Sequence, residues 1–156
     1  MKRLFIASLM AIMLTAFNAC REQWPYYHEY RSVDANAWFT NDKAELHVPA
    51  LPNDTTLQIA VCLRTTQKYP YQYLHLNMTV KDDSTRQTIN ALRFKLPVFD
   101  EQGLPLGKGF PFMEAEYDIE RQPLKLEKGH TYTIHLWHNM HTTTIPGISD
   151  IGVKLY

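Results

Sequence analysis

Residues 73–80 read YLHLNMTV. Leu74, Leu76, Met78 and Val80 alternate with Tyr73, His75, Asn77 and Thr79. Successive side chains of an extended strand point to opposite faces, so this order gives one apolar face and one polar face. A helix would scatter the same four apolar residues around its axis. The segment therefore reads as a half-buried strand. The same period of two recurs at Leu57, Ile59, Val61 and Leu63, at Leu92, Phe94 and Leu96, at Tyr132, Ile134 and Leu136, and at Ile151, Val153 and Leu155. Weaker strand candidates are residues 43–48 and 112–119, and no stretch carries a helical period.

Turn chemistry separates these runs. Pro49, Pro52, Asn53 and Asp54 interrupt the chain, Lys81-Asp82-Asp83-Ser84 fits a hairpin, and Gly103, Pro105, Gly107 and Gly109 mark a long loop. Lys128-Gly129 and Pro146-Gly147 close two tighter turns. About eight short strands joined in this way predict an all-β fold, an antiparallel β-sandwich, with a jelly roll among the topologies it admits. Strand pairing is not legible at this level. The predicted core is Ile59, Val61, Leu76, Met78, Phe94, Ile134 and Leu136, and Cys62 reads as a small core residue.

A chain of 156 residues predicts one domain. Its 16 basic and 16 acidic residues create no field suited to nucleic acid, and 45% apolar content can build a core. The amino terminus differs from the rest. Met1-Lys2-Arg3 precedes an apolar run over residues 4–17, too short to span a bilayer, which takes about 20 residues. This reads as an export signal ending in Phe17-Asn18-Ala19-Cys20, the pattern of a bacterial lipobox, with Phe17 where Leu is common. The expected division is a signal peptide over 1–19, a tether over 20–30 carrying lipid on Cys20 with acyl chains such as palmitate, and one domain over 31–156. Loss of Lys2 and Arg3 leaves 14 basic residues against 16 acidic ones. With Cys20 lipidated, Cys62 has no partner for a disulfide within the chain.

No sequence pattern assigns a catalytic residue, a cofactor or a metal. Leu106-Gly107-Lys108-Gly109 lacks phosphate-loop spacing and no helix follows it. Ser32, Ser84 and Ser149 lack a nucleophile elbow. Glu114, Glu116 and Asp118 alternate along one strand face, a pattern usual for a solvated surface. In HLWHNMH, residues 135–141, period two sends His135 and His138 to opposite faces. His135 and His141 lie about 20 Å apart in an extended chain, too far to share one ion. The aromatic run around Tyr69, Pro70, Tyr71 and Tyr73 is open to two readings: it covers an end of the sandwich, or it meets a sugar or a protein partner.

Several segments in order resemble one family. They are the lipobox with Cys20, an opening strand over residues 27–33 followed by Trp38, and the run RTTQKYPYQYL over residues 64–74. The Gly-Lys-Gly loop around Lys108 and the closing Met140 with IPGISDIG over residues 145–152 complete the set. Together they resemble the gliding-motility lipoprotein family GldH of the Bacteroidota. Tyr73 stands where that family usually has Asn, and His141 where it usually has Arg.

The resemblance implies a non-enzymatic lipoprotein of the cell envelope, associated with the gliding machinery and through it with type IX secretion. On this reading the chain binds the membrane through its lipid and also binds an envelope protein, with Tyr69, Tyr71, Tyr73 and Lys108 as candidate partner-binding residues. The alternative is a carbohydrate-binding lipoprotein of a glycan-uptake system, and a third reading builds a metal-handling protein on the histidines. Arg21-Glu22-Gln23 lacks the acidic run associated with surface export, which favours the periplasmic face of the outer membrane. Asp54-Thr55-Thr56 and Asp83-Ser84-Thr85 fit a short O-glycosylation pattern at Thr55 and Ser84, both expected in turns.

Overall fold

The computed structural model describes residues 25–119 and 123–156, so the signal segment and Cys20 lie outside the described residues. Among the described residues there are twelve strands and no helix: β1 (Tyr27–Ser32), β2 (Trp38–Phe39), β3 (Ala44–Val48), β4 (Thr55–Leu57), β5 (Ile59–Thr65), β6 (Tyr73–Asp82), β7 (Thr88–Pro97), β8 (Met113–Asp118), β9 (Leu124–Leu126), β10 (Tyr132–His138), β11 (Thr144–Ile145) and β12 (Ile148–Leu155). Two antiparallel sheets carry the fold, in the orders β1-β12-β5-β8 and β3-β10-β6-β7. Counting only these eight main strands along the chain, the sheets read 1-8-3-6 and 2-7-4-5, the order of a jelly roll. Two short pairs, β2 with β11 and β4 with β9, finish the ends.

The alternation in the sequence becomes the core through the strand register. Leu76, Met78 and Val80 lie opposite His138, Leu136 and Ile134 in the second sheet. Val61 lies opposite Val153, and Leu63 opposite Ile151, in the first. All nine of these apolar side chains are buried, in one contiguous cluster. Phe94, expected in the core, is only half-buried. It sits on β7, the edge of its sheet, where the sandwich opens into a groove shared with Tyr117 of β8.

Three further sequence expectations change. The tether expected up to residue 30 gives way at Tyr27, where β1 starts pairing with Leu155. The run over residues 57–64 is two strands, not one. Leu57 pairs with Leu124 of β9, and the chain changes sheet at Gln58, whose amide donates to the Tyr156 carbonyl at 2.7 Å. β5 is also buried on both faces rather than one. Its outward residue Cys62 lies opposite Gly152, and the Tyr30 ring packs so close to Gly152 that a β-carbon there would stand 2.8 Å from it. Burial pushes the Cys62 thiol up to about 11, which keeps it protonated and inert.

Candidate functional site

The strand register assigns each loop to one end of the sandwich. Tyr27, Ile59 and Asp118 lie beside Leu155 at the end where the chain enters from the amino terminus. Ser32, Thr65 and Met113 lie at the opposite end, separated from the first by strands of six to eight residues, about 20–25 Å. The aromatic run over residues 66–72, the loop over 98–112 and the turn over 139–147 all gather at this far end.

Tyr69 is the pivot. Its backbone packs against Gly147, which adopts φ 87°, and a β-carbon on Gly147 would stand 2.2 Å from the Tyr69 nitrogen. The Thr66 amide donates to the Gly147 carbonyl, and the Gly147 amide to the Ala35 carbonyl, both at 2.8 Å. The Tyr69 hydroxyl donates to the Tyr73 carbonyl at 2.9 Å, and its ring stacks on Phe99 and meets Tyr71 edge-on. The Tyr-Pro-Tyr run and the Pro-Gly turn are therefore two halves of one packing unit. Tyr69 is only 3% exposed, so the structure removes it from the partner-binding candidates. Composition could not reveal this, because its burial depends on a glycine 78 positions away.

The other candidates separate. Tyr71 is half-buried and lines a groove of about 400 Å³ with Pro70, Gln72, Phe99 and Asp100. Tyr73 lies apart on the outer face of the second sheet, where Lys95 Nζ sits 4.1 Å from its ring centre. Lys108 is exposed in the far-end loop, its backbone exchanging hydrogen bonds of 2.9 and 2.8 Å with Glu114.

That loop is well anchored. Asp100 Oδ1 accepts from the amides of Gln102 and Leu104 at 2.9 and 2.8 Å, and the Leu106 amide donates to the Val98 carbonyl at 3.0 Å. Yet it exposes large apolar side chains: Leu104 at 63%, Phe110 at 86%, and Leu106 and Phe112 close to half. The sequence reading took Leu106 only as part of the Gly-Lys-Gly loop and Phe112 as the start of a weak strand, and passed over Leu104 and Phe110. Their signal was present as bulky apolar side chains inside a Gly- and Pro-rich loop, where no core requires them.

The candidate glycan acceptors lie at the other end. Ser84 is exposed in the turn between β6 and β7. Thr55 is not in a turn but opens β4, half-buried, with its hydroxyl donating to the Asn53 carbonyl at 2.9 Å. The pairing of β4 with β9 draws it out of the loop. Beside Ser84, the Asp82 carboxylate accepts from His130 Nδ1 at 2.8 Å and from the Ser84 and Thr85 amides. Burial would raise the Asp82 carboxyl, but these bonds outweigh it and hold it below the usual carboxylate range.

The histidines near the carboxy terminus divide as the period requires. His138 is buried, with Nε2 3.0 Å from the Trp38 carbonyl, and burial lowers its basicity. His135 faces outward, 3.7 Å from Glu45. His141 lies exposed beyond the strand. Among the described residues no three His, Cys, Asp or Glu side chains are grouped as metal ligands.

Comparison with known proteins follows from this geometry. The profile of the GldH lipoprotein family matches residues 25–155. The gliding motility lipoprotein GldH of Flavobacterium johnsoniae is 23% identical over 157 aligned positions, covering 96% of this chain and 93% of that protein. Among solved structures, a family 35 carbohydrate-binding module from Clostridium thermocellum shares 12% identity, with 83% of this chain and 89% of that one covered at a TM-score of 0.41. The isomalto-dextranase of Arthrobacter globiformis T6 also shares 12% identity, with 71% and 16% covered at 0.40. TM-scores of this size say nothing about function.

Proposed function

The chain belongs to the GldH lipoprotein family, and from that premise we propose that it is a membrane-anchored binding protein whose far end docks a protein of the gliding and type IX secretion machinery. The observation that carries this reading is the exposed apolar loop. Leu104, Leu106, Phe110 and Phe112 are exposed apolar side chains of one loop, the kind of surface that marks protein interfaces, and hydrogen bonds fix the loop's backbone at Gln102, Leu104, Leu106 and Lys108. Holding the loop in place lowers the ordering cost of association. Lys108 supplies one exposed charge on the same loop, suited to an acidic group on the partner. The half-buried Tyr71 and its groove extend the same surface.

The anchor in this reading is lipid on Cys20. Seven residue steps separate Cys20 from Tyr27, a reach of at most about 25 Å. The entry end of the sandwich would then face the membrane and the apolar loop would face away from it, into the periplasm below the outer membrane. Ser84 and Thr55 would carry glycans near the membrane, clear of the docking end. The protein acts by binding rather than by catalysis.

A photo-crosslinking residue at Phe110, introduced into the protein in its native membranes, tests the assignment. The expected result is an adduct with an envelope protein that is absent when the same group replaces Arg86, exposed in the β6–β7 turn. No adduct at Phe110, or equal adducts at both positions, would overturn it.

A further inference from the structure

The outer faces of the two sheets differ in one physical respect. On the first sheet the charges satisfy one another. Tyr30 donates to Glu114 at 2.5 Å, Arg64 pairs with Glu114 at 3.5 Å, and Ser32 donates to Asp150 at 2.8 Å. Lys154 pairs with Glu116, and Tyr156 with Asp118. The carboxylates named on this face are already partnered, which leaves them poorly placed to take a polar ligand.

The second sheet is different. Trp137, Asn77 and Arg93 form one cross-strand row over β10, β6 and β7, so all three point outward together. The next row continues with Thr79 and the small Ala91. With Asn139 these side chains line an open groove of about 580 Å³. Among the described residues, the Asn77 and Asn139 amides, the Thr79 hydroxyl, the Trp137 indole and the Arg93 guanidinium have no protein hydrogen-bond partner. Asn77 is only 8% exposed, yet no fully buried side-chain polar atom among the described residues lacks a partner. Its free amide must therefore open onto the groove. Lys43 Nζ sits 4.5 Å from the Trp137 ring centre, a cation–π contact that covers one face of the indole. Lys81, Arg93 and Lys95 join Lys43 on this face, where Glu45 is the strand carboxylate and is flanked by His47 and His135.

We propose that this groove is a binding site for an oligosaccharide carrying a carboxylate, such as a uronate or sialate residue. The groups present match that chemistry. An indole edge and face accept the C–H side of a pyranose ring. Two amides and a hydroxyl exchange hydrogen bonds with ring hydroxyls. A guanidinium without a counter-ion pairs with a carboxylate in a bidentate manner. Unlike the far-end loop, which is apolar and suits a protein, this groove is polar and basic, and its two amides, hydroxyl and guanidinium have no partner among the described residues. It lies on the outer face of the second sheet and not on the apolar loop, and it is independent of that reading.

The test is titration of the purified full chain with tetragalacturonate, a hyaluronan tetrasaccharide and sialyllactose, each against its neutral counterpart, followed by calorimetry and tryptophan fluorescence. Micromolar to low-millimolar binding of at least one acidic probe is expected, weaker by about tenfold or more in Trp137→Ala and in Arg93→Gln. Arg93 is exposed, so its variant keeps the fold and isolates the contact. Arg64→Gln, on the opposite face, should leave binding unchanged. No response to any acidic probe at about 10 mM overturns the site. Equal binding of the neutral sugars overturns the acidic class, and undiminished binding in both variants overturns the location.

Discussion

Gly147→Ala is the substitution whose cost the structure specifies most completely. Two effects add. At φ 87° an L-residue loses about 1–2 kcal/mol from backbone sterics alone. The new β-carbon would also stand 2.2 Å from the Tyr69 nitrogen and 2.5 Å from its α-carbon, both backbone atoms that cannot rotate aside. Relief requires the two loops to part. That loosens the Thr66–Gly147 and Gly147–Ala35 hydrogen bonds, each worth about 1 kcal/mol net, and the packing of Tyr69. The expected total is about 3–5 kcal/mol, a large fraction of a typical domain's stability. For a chain of this length that corresponds to a fall in Tm of about 10–20 °C. Gly129→Ala is the internal control. Its φ is 79°, but nothing lies within 4 Å of the added atom, so only the first effect applies and about 1–2 kcal/mol should be lost. Urea unfolding followed by circular dichroism measures both variants. Equal losses in the two would refute the claim that the Tyr69 contact, rather than backbone conformation, makes position 147 a glycine.

Other substitutions reach other parts of the molecule. Val61→Asp puts an unpaired carboxylate at a fully buried position and should cost several kcal/mol; a soluble variant with an unaltered melting curve would show the strand register to be wrong. The His130–Asp82 pair makes stability depend on pH. The hydrogen bond to Asp82 raises the His130 pKa, so its contribution is complete below the usual histidine value of about 6.5 and fades as pH rises through the raised one. Asp82 is lowered, so its share is complete above the usual carboxylate value of about 3.9 and is lost on further acidification. The stability lost in His130→Gln should therefore be largest between those two values, and a loss that grows above pH 8 would contradict the pairing. Cys20→Ser should shift the protein from the detergent phase to the soluble fraction or leave an unprocessed precursor, since one acyl chain binds membranes only marginally and several hold firmly. Unchanged partitioning would end the lipid-anchor proposal.

How much was legible depended on how far each signal reached along the chain. β6, β10 and β12 could be read because their apolar side chains repeat over enough positions to establish a period. β2 and β11, of two residues each, carry no period at all. The alternation of residues 57–64 passed unbroken through Gln58, so nothing local marked the change from one pairing partner to another. β1 entered the reading only through the family resemblance, because an edge strand, half-buried and rich in tyrosine and charge, lacks a clean apolar face for period two to reveal. At the candidate site, Gly147 and Tyr69 could be seen as notable residues but not as neighbours. Trp137 was read only as a member of the histidine run. Its row with Asn77 and Arg93 exists through the register of three strands, which period alone does not determine.

The pairing of β1 with β12 also sets the mechanical character of the molecule. β1 runs from the entry end toward the far end, and all six of its residues pair with β12. A partner pulling on the far-end loop, opposed by a lipid anchor upstream of Tyr27, would load that ladder along the strand axis. The hydrogen bonds lie across this direction, so they share the strain together and do not open one after another from an end. Had β1 entered from the far end, the same pull would have peeled it away bond by bond. With the proposed anchor and partner in place, the β1–β12 ladder would act as a shear joint under tension.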